Sequence, residues 1–136
     1  MNDNCIFCKL ANGVFPTNTI YEDDGYRVIL DNGPATRGHA LVLPKEHYEN
    51  VFDIPEDVLA GAVKVGKKVA QTLSDKLSCD GLNLVQNNGE AAGQTVMHFH
   101  LHIIPRYKND GQHILWDPTS PSAEELEEIR KTIVGE

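Results

Sequence analysis

Cysteine is scarce in this chain: three residues among 136, an odd number. Such a count does not build the disulfide framework of a small secreted domain, and it suits the reducing cytoplasm. Long apolar runs are also missing. None approaches the length of a membrane span, and the opening MNDNCIFCKL is too polar for a signal peptide. Basic residues are outnumbered, 12 Lys and Arg against 20 Asp and Glu, for a formal net charge of −8. A surface of that sign does not wrap a nucleic-acid backbone. It still admits a small anion held by backbone N–H groups. No repeat, low-complexity tract or Pro/Gly/Ser-rich linker divides the chain, so residues 1–136 read as a single domain.

What is present alternates between strand and helix signals. A short helix is expected near 5–12, stopped by Asn12-Gly13 and Pro16. Strands follow at NTIYED (18–23), YRVILD (26–31) and HALVLP (39–44), and Asp24-Gly25 between the first two marks a hairpin. One long helix is expected from about Pro55 to Leu77. Its apolar stripe would be Val58, Leu59, Ala62, Val63, Gly66, Val69, Ala70, Leu73 and Leu77. A strand at GLNLVQN (81–87), a polar loop through Thr95 and a strand at 96–106 come next. The tail, about 107–136, carries a capping signature and a final helix. Strands in hairpin-like succession with one long helix among them make an α+β domain on a mainly antiparallel sheet.

Residues 96–106, VMHFHLHIIPR, hold three of the six histidines within five positions. In a strand, alternate side chains share a face, so Phe99, Leu101 and Ile103 would enter the core. His98, His100 and His102 would line the other face, neighbours roughly 6–7 Å apart. Three uses fit: a half-exposed strand that happens to carry imidazoles, a metal site, or nucleophilic catalysis by a neutral ring. The segment just upstream, Asn87 to Thr95, is small and polar and has glycines at 89 and 93. Gly93 and its neighbours can bring backbone N–H groups to a phosphate, with Gln94 and Thr95 adding side-chain donors.

His98-Phe99-His100-Leu101-His102-Ile103-Ile104 resembles the pattern His-φ-His-φ-His-φ-φ of the histidine-triad family at every position. Gly93-Gln94-Thr95-Val96 is similar to the block preceding that triad. Gly38-His39-Ala40-Leu41-Val42-Leu43-Pro44-Lys45-Glu46-His47 resembles a second block, and CIFCKLANGVFPTNTIYEDD resembles the opening of bacterial members. The resemblance implies a five-stranded, mainly antiparallel sheet with one long helix and a short N-terminal helix. Two such sheets would join as a ten-stranded sheet in a homodimer.

The same resemblance implies a hydrolase or transferase acting at the α-phosphate of purine nucleotide conjugates, nucleoside phosphoramidates above all. His100 would be the nucleophile and form a nucleotidyl-histidine intermediate. His39 and His102 would orient imidazoles and phosphate, and Thr95 would assist the leaving group. Gly93, Gln94 and Thr95 would contact phosphate oxygens, Asn87 would reach the nucleotide, and Asp31 would hold the ribose hydroxyls. Phe7, Leu10, Ile29 and Leu41 would sandwich the purine; composition alone makes them core residues. A dinucleoside polyphosphate hydrolase is the rival enzyme, and a zinc-stabilised nucleotide-binding protein with little turnover is the rival outside catalysis.

Cys5-x-x-Cys8 is half of a zinc site by spacing and by itself decides nothing. Some bacterial members of the family complete such a pair with two histidines, which here would be His47 and His98. That implies a closed structural zinc tying the N-terminal helix to the sheet. Cys79 reads as a packing residue and His113 as a surface one. Trp116 reads as either core or a side chain reaching a partner subunit.

Overall fold

The computed structural model describes residues 2–136. Its elements run α1 (Ile6–Ala11), β1 (Thr19–Glu22), β2 (Tyr26–Leu30), β3 (Ala40–Pro44), α2 (Glu56–Leu77), β4 (Gly81–Val85), β5 (Leu101–Arg106) and α3 (Ala123–Val134). The five strands form one sheet in the order β1-β2-β3-β5-β4, with every pairing antiparallel. The architecture is the α+β one expected from the sequence, with β4 and β1 at the two edges.

Strand alternation divides the sheet into two faces. Val28 pairs with Val42 and Val42 with Leu101, and all three join Ile103, Phe99 and the α2 residues Ala62, Val65, Val69 and Leu73 in the main core. Each fully buried aliphatic chain there contributes about 1.5–3 kcal/mol of transfer free energy. On the opposite face Ile29 pairs with Leu41 and Leu41 with His102. Ile29, Leu41, Leu43 and Ala11 form a smaller cluster, against which Phe7 and Leu10 of α1 pack. The large core holds the sheet, and α1 lies on the face that carries the histidines.

α2 opens after Pro55, with Glu56 and Asp57 in its first turn complementing the helix dipole. It closes on Ser78 in a left-handed conformation, whose N–H donates to the Ser74 carbonyl. Its stripe departs from the expected one at a single step. Val65 is buried and Val63 is 48% exposed, because the helix turns its 62/65/66/69/73 line toward the sheet and leaves position 63 on the flank.

The strand expected at 96–106 is shorter than the sequence suggests. β5 begins only at Leu101, so His98 and His100 precede it. The backbone there is bound elsewhere: the Phe99 N–H donates to the Tyr48 carbonyl, and His98 Nε2 donates to the Pro44 carbonyl. The alternation nevertheless persists, with Phe99, Leu101 and Ile103 all in the main core. β4 likewise stops at Val85, two residues early. Trp116 is 83% exposed and is not a core residue of its own chain. His113 is exposed and Cys79 half-buried. α3 buries none of its residues.

Gly61 lies where α2 crosses Tyr26, whose hydroxyl donates to the Val58 carbonyl at 2.6 Å. A Cβ at position 61 would fall on the Tyr26 hydroxyl and stand 2.9 Å from Cζ. Helix propensity alone favours Gly→Ala by about 1 kcal/mol. Overpacking reverses the sign here, and Gly61→Ala is expected to cost about 1–3 kcal/mol. A urea titration would show this as a lower midpoint at unchanged slope. A raised midpoint would mean that α2 is free to shift away from the sheet.

Candidate functional site

α1 and the histidine face of the sheet enclose a cavity of ≈ 350 Å³. Its apolar wall includes Phe7, Leu10, Ile29 and Leu41, and its polar end Asp31, Thr95, His100 and His102. Eight residues singled out from the sequence therefore meet in one space. Ile6, Leu30, Asn32 and Val96 also line it. Ile6 and Val96 had no separate signal beyond flanking Phe7 and the triad. Ile29 and Leu41 are both core and cavity wall, so the two readings of these residues are compatible.

The hydrogen bonds assign the imidazole tautomers, because each chain of bonds begins at a group that can act in only one sense. The His98 carbonyl can only accept, so His100 carries its proton on Nδ1 and donates it there at 2.7 Å. The free lone pair of His100 is then on Nε2. The Ala35 N–H can only donate, and it reaches His39 Nδ1 at 2.9 Å. A neutral His39 therefore carries its proton on Nε2 and donates it to His102 Nδ1 at 2.9 Å. That leaves His102 protonated on Nε2. His39 stands behind His102, outside the cavity lining, and 3.6 Å from the Asp31 carboxylate. Asp31 accepts the Gly33 N–H at 2.8 Å and opens onto the same cavity.

Burial keeps these rings neutral. Desolvation lowers the pKa of His100 and His39 below the ordinary value, against the pull of Asp31 on both. Desolvation, with the neighbouring His100 and His39, lowers His102 to about 4. The ring of Phe7 meets His100 edge-on at 4.8 Å, and His100 meets His102 at 4.9 Å. A neutral, oriented imidazole with an exposed lone pair is what nucleophilic attack needs.

The loop before the triad is built differently from its sequence reading in one respect. Gln94 is almost wholly buried, and its side-chain amide donates to the carbonyls of Glu49 (2.7 Å) and Val96 (3.1 Å). Its side-chain oxygen accepts the Gly89 N–H at 2.8 Å. The side chain pins the loop and has no donor left for a phosphate. Gly93 adopts φ +96°, which a side chain would strain, and packs beside the Asn87 amide. Thr95 is exposed on the cavity rim.

A second cluster adjoins the first. Ligand atoms of Cys5, Cys8, His47 and His98 all lie within 4.8 Å of one another. The Cys8 sulfur is 3.3 Å from His47 Nδ1 and 3.4 Å from His98 Nδ1, and the Cys5 sulfur is 3.4 Å from His98 Nδ1. In a tetrahedral zinc site with ordinary Zn–S and Zn–N bonds, sulfur and nitrogen ligands stand about 3.5 Å apart, so the spacing fits. His98 Nε2–H donates to the Pro44 carbonyl at 2.9 Å, which turns the Nδ1 lone pair toward the sulfurs. Asp31, His39 and His102 also converge, but Ala35 already occupies His39 Nδ1. A neutral His39 then has no Nε2 lone pair for a metal.

The buried neutral rings carry a pH signature. His102 titrates near 4 in the folded chain, against 6.5 when exposed. Above 6.5 both states are neutral and the ring's contribution is complete. As the pH falls toward 4, the unfolded chain takes a proton that the folded chain refuses, so stability is lost. Unfolding free energy should be level above about pH 7 and fall below 6.5, with His102 adding at most about 1.4 kcal/mol per pH unit. His102→Gln is expected to flatten this slope. An unchanged slope would show that His102 does not titrate as a buried neutral ring.

A family model described as the HIT domain matches residues 12–109. A HIT-like protein of Methanocaldococcus jannaschii is 44% identical over 96% of this chain and 99% of its own length. The protein Hit of Bacillus subtilis is 41% identical over 96% of this chain and 92% of its own. An adenylylsulfatase of Arabidopsis thaliana is 38% identical over 81% of this chain and 56% of its own. Among solved structures, a HIT-family protein from Bacillus subtilis superposes with a TM-score of 0.90 at 39% identity, covering 98% of this chain and 96% of its own. A Zn-bound histidine-triad protein from Mycobacterium smegmatis superposes at 0.77 with 39% identity, covering 96% and 93%. The alternating histidines, the cavity they close and these matches agree: the chain belongs to the histidine-triad (HIT) family.

Proposed function

We propose that this protein hydrolyses purine nucleotide conjugates, nucleoside phosphoramidates first among them, at the α-phosphate. The observation that carries the reading is the His100 Nδ1–H bond to the His98 carbonyl, which presents Nε2 as a nucleophile in a cavity with an apolar wall. A purine would lie against Phe7, Leu10, Ile29 and Leu41, with the ribose hydroxyls at Asp31. His100 Nε2 attacks the α-phosphorus, the bond from phosphorus to the leaving amine breaks, and the amine takes a proton from solvent, which the attacking water of the second step returns. Water then attacks the nucleotidyl-histidine, releasing the nucleotide and restoring the ring. The Nε2–H of His102, held by His39, donates to a phosphate oxygen. Thr95 and the backbone at Gly93 serve the leaving-group side and the phosphate, and Asn87 reaches the nucleotide. Gln94 contributes by fixing the loop.

Cys5, Cys8, His47 and His98 would hold a structural zinc, which closes its own coordination shell and supplies no Lewis acid to the reaction. A homodimer is part of the same reading. The edge strand β4 has an unpaired side, and Leu84 on it and Val63 on α2 are 47% and 48% exposed. Joining two β4 edges would make the ten-stranded sheet. No helix among the described residues is long and apolar enough to cross a membrane.

Purified protein is expected to release AMP from adenosine 5′-phosphoramidate. His100→Ala, folded by circular dichroism, should lose activity by several orders of magnitude. Slow turnover in both proteins with AMP still bound would remove this substrate class. Dinucleoside polyphosphates and adenylylsulfate, which also break at an α-phosphate, would be assayed next. Failure of all three with binding intact would favour a nucleotide-binding role with little turnover.

A further inference from the structure

α1 is too short to stand as an isolated helix, and it is held at two ends by different chemistry. At its C-terminal end, Asn12 Nδ2 donates to the Lys45 carbonyl at 2.9 Å and Arg27 Nη1 to the Leu10 carbonyl at 3.2 Å. At its N-terminal end, the polar side-chain attachments are the Cys5 and Cys8 sulfurs against His47, after β3, and His98, before β5, beside the packing of Phe7 on the Ile29, Leu41 and Leu43 cluster. Ile6 and Phe7, which lie between those cysteines, both line the cavity that holds His100. One turn of chain therefore carries both the metal ligands and a wall of the nucleotide cavity.

We propose that Cys5 and Cys8 form a dithiol that peroxide oxidises to a disulfide, unlatching α1 and opening the nucleotide cavity. The inference rests on the reading of that cavity as a nucleotide site. Cys5, 8% exposed, also lines a second cavity of ≈ 600 Å³ beside His47 and Thr95, roomy enough for a molecule of peroxide's size. Cys5 sulfur attacks the O–O bond, becoming a sulfenic acid as one water leaves. Cys8 sulfur then displaces the hydroxyl, the S–S bond forms and a second water leaves. Two sulfurs lose two electrons, and the peroxide is reduced to two waters.

The disulfide draws the sulfurs to about 2.05 Å of each other. They can no longer serve as separate thiolate ligands beside His47 and His98, and two imidazoles do not complete a zinc shell. Phe7, then held by its apolar packing alone, is less firmly fixed against His100. The His98 side chain also loses one of its two anchors, while its carbonyl still orients the nucleophile.

The test uses the zinc-loaded full chain carrying Cys79→Ser, which leaves Cys5 and Cys8 as its cysteines. After hydrogen peroxide, one zinc per chain should reach a chromogenic chelator, and mass spectrometry should place a disulfide between Cys5 and Cys8. AMP affinity, read by calorimetry, should weaken by about tenfold or more, within the usual range of coupling between sites. Reductant with added zinc should restore it. Stripping zinc from the reduced protein with a chelator should reproduce the weak state without any disulfide. A disulfide that leaves AMP affinity unchanged, or no disulfide at all, overturns the inference alone. Failure of the reduced, zinc-loaded protein to bind AMP overturns the nucleotide site itself, and the inference with it.

Discussion

The bond from His100 Nδ1–H to the carbonyl of His98 is the constraint on which the site depends. An imidazole in a regular strand would have no reason to choose one tautomer. Here the backbone leaves the ladder before Leu101, which turns the His98 carbonyl inward to where a ring two residues later can reach it. That departure is itself held in place: Phe99 is buried in the main core, its N–H is bound to Tyr48, and His98 is bound to Pro44. Core packing on one side of the chain thus sets the protonation of a ring on the other.

The Cys5/Cys8/His47/His98 cluster and the Asp31/His39/His102 cluster are two halves of one row of histidines. His98 faces Cys5 and Cys8, while His102 faces His39 and Asp31, with His100 between them. Each outer ring is oriented by a backbone group, the Pro44 carbonyl in one case and, through His39, the Ala35 N–H in the other. Burial does the rest by holding the rings neutral, so His100 needs no separate base to expose its lone pair. This arrangement tolerates the strongly acidic chain, since nothing in it relies on a positive surface.

Much of this was legible in the sequence because it is local. Period-two alternation placed Phe99, Leu101 and Ile103 in the core, and Asp24-Gly25 marked the first hairpin correctly. The Cys5, Cys8, His47, His98 cluster and the set of residues around the cavity came from resemblance in separated blocks, and the structure brings both together. Most of the unread features depend on contacts across the chain. The early end of the histidine strand follows from bonds to Pro44 and Tyr48, residues on another segment. Gln94 reads as a phosphate donor until Glu49, forty-five residues away, takes its amide. Val63 and Val65 are equally apolar in sequence, and only the angle at which α2 meets the sheet separates them. The Ala35 N–H, which sets the His39 and His102 tautomers, has no side-chain signature at all.

The most direct measurement is the tautomer of each imidazole by long-range proton–nitrogen NMR on the uniformly labelled protein near pH 7. His100 should show a protonated Nδ1 and a bare Nε2, while His102 and His39 should show the reverse. A protonated Nε2 on His100 would mean that the lone pair faces the backbone and not the cavity, and the covalent mechanism would lose its nucleophile.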